Sequence, residues 1–173
     1  MDAEVERAIG ALRMAMRIEQ NGYRFYRRAA GETNDPKAKA FFTGLAEDEV
    51  AHEAVLRTRL RALEEDGAWL PVAEDEWPTG GPRSGAEPIF SQKRLEEGVS
   101  DYTSELSALR MAYLIEKNAV EFYNKAARET TDPAGRAMYE DLAAWEKVHQ
   151  RVLEEEYRFL ADRFKLDMGF APF

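Results

Sequence analysis

Shifted by 97 residues, the chain falls on itself. ALRMAMRIEQNGYRFYRRAAGETNDP (11–36) lies over ALRMAYLIEKNAVEFYNKAARETTDP (108–133), and LAEDEVAHEAVL (45–56) lies over LAAWEKVHQRVL (142–153). From 11 to 56, 23 of 46 positions are identical with no gap. A self-match of that extent is an internal duplication. Whatever supersecondary unit the first copy forms, the second copy forms too.

Each copy reads as a helical hairpin. Ile9, Leu12, Met16, Glu19, Tyr23, Tyr26 and Ala30 recur at spacings of three and four, which predicts one helix face. Asp2 is placed to cap its start, and Glu4 suits the positive end of the helix dipole. The pattern breaks near residue 31, and Asp35-Pro36 then supplies an N-cap and a first-turn proline. The second helix presents Ala38, Phe42, Leu45, Glu49, His52, Leu56, Leu60 and Leu63. So short a turn makes the two helices antiparallel neighbours. In the second copy Leu106, Leu109, Tyr113, Glu116, Val120 and Tyr123 form the first face. Asp132-Pro133 opens a helix carrying Met138, Tyr139, Leu142, Glu146, His149, Leu153, Tyr157, Leu160 and Phe164.

Residues 67–100 separate the hairpins and contain four prolines and five glycines, so no long helix runs through them, although SQKRLEEG (91–98) suits a short one. A linker of this length can cross a bundle end to end, which short up-down connections would not need. The expected fold is an all-α, antiparallel four-helix bundle in one domain. Its parts are a hairpin over about 3–66, a crossover over 67–100, a hairpin over about 101–165 and a tail over 166–173.

The apolar stripes are interrupted by carboxylates. Glu19 and Glu116 occupy core positions in the first helix of each hairpin. Glu49 with His52, and Glu146 with His149, interrupt the second. These are the only two histidines in the chain. The three-residue spacing puts glutamate and histidine one turn apart on one face. A buried unpaired carboxylate is costly, and four at one level repel one another. Two divalent cations neutralise four glutamates, and this residue set is a carboxylate-bridged dimetal pattern of four-helix bundles. Glu47, Glu53 and Glu154 lie off that face and read as solvated surface. Tyr26 and Tyr123 lie two turns beyond Glu19 and Glu116; they are either core tyrosines or donors to ligand carboxylates.

Composition narrows the chemistry. A net charge of −9 argues against nucleic acid and anionic membranes as partners and is compatible with attracting cations. The absence of cysteine excludes disulfides, thiolate zinc sites and cysteine-ligated iron within the chain. No signal peptide or membrane span is visible, so a cytoplasmic protein is expected.

The segments IEQNGYRFY, LAEDEVAHE, IEKNAVEFY and LAAWEKVHQ resemble the rubrerythrin branch of the ferritin-like superfamily. The resemblance covers nearly all of both hairpins and makes 67–100 the family's long crossover. It implies two iron ions, with manganese or zinc as possible substitutes. Glu49 and Glu146 would bridge them, and Glu19 and Glu116 would be terminal ligands. It implies reduction of peroxide or dioxygen; the alternatives are oxidation of ferrous iron for storage, or a metal-stapled bundle without turnover. An aspartate placed like Asp48 would serve the histidine of the opposite helix, here His149, whereas Trp145, its counterpart in the repeat, cannot accept a hydrogen bond. Two departures bear on activity. The four-cysteine electron-transfer module has no counterpart here, so electrons would come from a separate donor protein. The family's extra glutamate is replaced by Ala119, with Gly22 at the matching place in the first copy. The nine residues KLDMGFAPF are too short for the fifth helix of a storage cage, so a homodimer is expected.

Overall fold

The computed structural model describes residues 2–77, 89 and 99–169, with the side chains of 99–102 and 167 outside that description. Four long helices account for nearly all of it: α1 (Ala3–Glu32), α2 (Pro36–Asp66), α3 (Val99–Glu129) and α4 (Pro133–Asp167). A single 3₁₀ turn occupies Glu74–Glu76, and no strand occurs among the described residues. The all-α four-helix bundle expected from the duplication is the observed fold. Helices α3 and α4 each run two residues past the expected boundaries. The helix expected at 91–98 and the end of the tail lie outside the described residues.

The caps are where the turn chemistry puts them. Asp2 accepts the Glu4 N–H, and Asp35 accepts the N–H groups of Lys37 and Ala38. Asp132 repeats the arrangement with Ala134 and Gly135. Each cap satisfies amides that a helix start leaves free, and each following proline has no amide to waste. Helix α2 ends on Gly67 at φ 67, a left-handed conformation that glycine adopts without steric cost.

Helix α1 packs on α2, α3 packs on α4, and the hairpins meet through α1 and α3. Tyr26 of α1 meets Glu116 of α3, while Tyr123 of α3 meets Glu19 of α1. Rising numbers on one helix meet falling numbers on the other, so α1 and α3 are antiparallel. Helices α2 and α3 therefore point the same way, and the chain between them must travel the bundle's length. For 31 residues of α2 that is about 46 Å.

The buried line of α1 runs Ile9, Leu12, Ala15, Glu19, Gly22, Tyr26, Ala29. This corrects the expected stripe at one point: Tyr23 is exposed, and Gly22 takes the buried place beside the cluster. A step of three from Glu19 to Gly22 and four to Tyr26 holds the face; Tyr23 lies a further 100° round. In α3 the corresponding places are Ala112 and Ala119. At Gly22 the missing side chain leaves room for the carboxylate of Glu49 from α2. Two aromatic stacks, Tyr26 on Phe42 and Tyr123 on Tyr139, repeat the duplication inside the core.

Trp69, just past α2, lies against the start of α4. A methyl group at Gly135 would sit 2.6 Å from the Trp69 ring. The rigid indole also packs edge-on to Tyr139 and cannot simply swing aside. Gly135→Ala is therefore expected to lower the urea midpoint, by about 1–3 kcal/mol of stability, through overpacking. Ala38, its counterpart in the first repeat, is buried without such a neighbour problem.

Candidate metal centre

The six residues singled out by the stripes converge midway along the bundle. Glu19, Glu49, His52, Glu116, Glu146 and His149 are all buried, at 3% exposure or less. Their donor atoms form two overlapping groups: Glu19, Glu49, His52 and Glu146 in one, and Glu49, Glu116, Glu146 and His149 in the other. Within each group the ligand atoms lie within 4.8 Å of one another. Glu49 and Glu146 belong to both. Glu47, Glu53 and Glu154 are not in either group; Glu53 instead pairs with Arg57, and Glu154 with Arg158 at 2.6 Å.

Contacts inside the cluster are close but only partly satisfied: His149 Nδ1 pairs with Glu146 Oε2 at 3.0 Å, whereas the contacts of His52 do not close. His52 Nδ1 lies 3.0 Å from Glu146 Oε1 and 3.3 Å from Glu19 Oε2. All three atoms nevertheless lack an aligned hydrogen bond. Buried polar atoms are rarely left so, because each costs about 1–3 kcal/mol. Oxygen and nitrogen donors crowded together, with several left unbonded, are able to share a cation. Four carboxylates and two imidazoles, with Nδ1 of each ring turned inward, are a donor set for iron or manganese, and zinc competes by affinity. The residues present therefore fit a pair of divalent ions.

The electrostatics agree. Burial, then the neighbouring carboxylates, push Glu49 well above the ordinary glutamate range. The same causes, led again by burial and then Glu146, raise Glu116 to about 8. Burial alone would raise Glu146 too, but the charges and hydrogen bonds of His52 and His149 overcome it and hold that carboxyl low. Both histidines are raised despite the opposing effect of burial, chiefly by Glu146 for His52 and by Asp48 for His149. Protons thus stand in for missing positive charge.

The surrounding residues are tied to the ligands across the repeats. The hydroxyl of Tyr26 donates to Glu116, and that of Tyr123 donates to Glu19. Of the two roles open to these tyrosines, the geometry gives both, since they are wholly buried and bonded to the carboxylates. His149 Nε2–H donates to Asp48 Oδ2 at 3.3 Å, so α2 orients a histidine of α4. Among the described residues, His52 has no such partner for its Nε2. Its ring meets the indoles of Trp145 and Trp77 edge-on, with centroids 6.0 and 6.5 Å away. Trp77 is a residue that sequence reasoning passed over. It lies in the proline-rich linker, where no periodicity points to it.

A protein-family model described as Rubrerythrin matches residues 10–157, which takes in all six ligand candidates and both hairpins. No similar chain is found among curated proteins or solved structures. Among the described residues, no helix is long and apolar enough to cross a membrane.

Proposed function

Since the chain belongs to the rubrerythrin family, we propose that it is a non-haem di-iron oxidoreductase that reduces peroxide or dioxygen. The observation that carries this reading is the pair of buried donor groups sharing Glu49 and Glu146. Two ferrous ions held there would supply the two electrons that, with two protons, convert hydrogen peroxide to two waters. The chain's own part is to hold and insulate them. Glu19, Glu49, Glu116 and Glu146 balance the charge of two divalent ions. Tyr26 and Tyr123 each donate to a carboxylate oxygen, of Glu116 and Glu19 respectively, and Asp48 fixes the ring of His149. Full burial of every ligand keeps bulk water from the centre. With no cysteine in these residues, the returning electrons come from a separate donor protein.

Stopped-flow mixing of the diferrous protein with one equivalent of peroxide tests the proposal. Oxidation within seconds is expected, with slow return unless a reductase is added, and Glu146→Ala should abolish it. A diferrous centre that survives for many minutes rules the oxidoreductase out. Ala119, in place of the family's extra glutamate, favours one second reading: oxidation of ferrous iron passed on to storage. Many ferric ions accumulating per chain would select it.

Asp48→Asn removes the carboxylate from the outer edge of His149. One of two metal affinities is expected to fall by about 10–100-fold, the other little. Calorimetric titration with manganous ion reads both; two unchanged affinities would remove Asp48 from the site.

A further inference from the structure

Among the described residues, Arg59 is the largest wholly buried side chain. A guanidinium taken out of water is expensive unless its donors are met. Here they are met by the crossover. Arg59 Nη1 and Nη2 grip Glu76 at 2.5 Å each, Nη2 donates to the Pro71 carbonyl at 2.6 Å, and Nε donates to the Leu70 carbonyl at 3.2 Å. Glu76 also accepts the Ala73 N–H at 2.8 Å and so closes the 3₁₀ turn. The next residue is Trp77, whose indole meets His52.

The duplication counterpart of Arg59, 97 residues on, is Glu156. It is also buried, and it also grips the crossover, accepting the Ile89 N–H at 3.2 and 3.3 Å. Arg59 lies two turns beyond His52 on α2, and Glu156 two turns beyond His149 on α4. Because these helices run antiparallel, the two grips flank the cluster on opposite sides. The described parts of the crossover are thus held on either side of the centre, and the Trp77 indole meets His52.

The two halves of the cluster are therefore closed differently. The His149 half is closed by a helix-borne hydrogen bond to Asp48. The His52 half is closed by two indoles, one on the rigid α4 and one on the linker. Among the described residues, neither His52 nitrogen has an aligned hydrogen-bond partner to anchor the ring. Among the described groups around His52, Trp77 is the one whose backbone is not part of a long helix.

We propose that Arg59 and Glu76 position Trp77 as the cover over the His52 half, so that Trp77 and the turn before it govern passage of a divalent cation into and out of that half. This rests on the dimetal reading. The clamp spans separate segments, and its rupture exposes the outer edge of His52 without touching a ligand. An apolar shell controls access to a metal in this way.

The test uses the full chain labelled with 5-fluorotryptophan, whose three tryptophans give three fluorine resonances. Trp69→Phe, Trp77→Phe and Trp145→Phe assign them. Glu76→Gln keeps the volume of the clamp and removes its charge. It is expected to shift the Trp77 resonance and leave Trp69 in place. Loaded with cobaltous ion, Glu76→Gln and Trp77→Ala should still bind two ions, while one ion is released to a chelator about tenfold faster than in the wild type. Trp69→Phe should release at the wild-type rate. Two ions bound with equal release rates in all variants overturns the cover alone. A wild-type chain that takes up no cobalt overturns the dimetal reading and the cation gate with it. Even then, an unmoved Trp77 resonance in Glu76→Gln shows that the clamp does not position Trp77, and a shifted one shows that it does.

Discussion

Stripped of metal, the protein should melt on the order of 10 °C lower than when loaded, and the gap should widen as pH rises from 5 to 8. An ion at a thousandfold excess over its dissociation constant stabilises by about 4 kcal/mol. For a chain of this length each kcal/mol moves the midpoint by about 2–4 °C. The pH slope follows from the cluster. In the folded apoprotein Glu49 and Glu116 hold protons that the unfolded chain releases near pH 4.5, Glu116 up to about 8. His52 and His149 are shifted the same way. The folded state binds more protons, so stability is full below the unfolded values and is lost as pH climbs through the folded ones. Glu146 has the opposite sign, but its effect falls below the ordinary glutamate range and does not enter this window. Metal displaces the protons, so its affinity rises over the same interval. Differential scanning calorimetry with and without chelator, at several pH values, measures both. A melting curve indifferent to verified metal removal would contradict a buried cation site.

Gly22→Ala should stabilise the metal-free protein and weaken the loaded one. A helix-interior glycine costs about 1 kcal/mol relative to alanine, so the apoprotein should gain roughly 2–4 °C. The added methyl would lie 2.9 Å from Glu49 Oε1. That oxygen ends a flexible side chain, which can move away without disturbing the backbone. In moving, it leaves the position in which Glu49 belongs to both donor groups. Metal affinity is expected to fall by about 10–100-fold, as for other losses of ligand orientation. Opposite signs in the two states separate a role in ligand placement from one in packing. A parallel rise in both would assign Gly22 to helix geometry only.

The bundle and its cluster were legible because the duplication repeats every signal. Aspartate-proline caps at 35–36 and 132–133 mark both second helices, and glutamates in apolar stripes mark the centre. A stripe identifies a face but not its width. Tyr23 and Gly22 are adjacent, and hydrophobicity alone favours the tyrosine, although the glycine is the buried one. Arg59 and Glu156 were illegible for a related reason. A charge on a helix reads as surface until the chain that covers it is known, and 67–77 has no period from which its path could be inferred. The bond from His149 to Asp48 was expected from the family resemblance alone, because it depends on which helices face each other, and spacing along one helix does not encode that.

The opposite charges of Arg59 and Glu156 also bear on chain topology. Two hairpins of like sequence have like surfaces, so a hairpin can recognise the matching one from another molecule, and exchange between chains is the characteristic hazard of such repeats. A bundle of two identical halves could also be wired in either direction. Peptide backbone is polar along its length. The guanidinium takes carbonyls of Leu70 and Pro71 near one end, and the carboxylate takes an amide N–H at Ile89 farther on. Reversing either partner would set like against like. This pair of charges therefore distinguishes two helices that the duplication otherwise makes alike, and matches each to its own stretch of the linker.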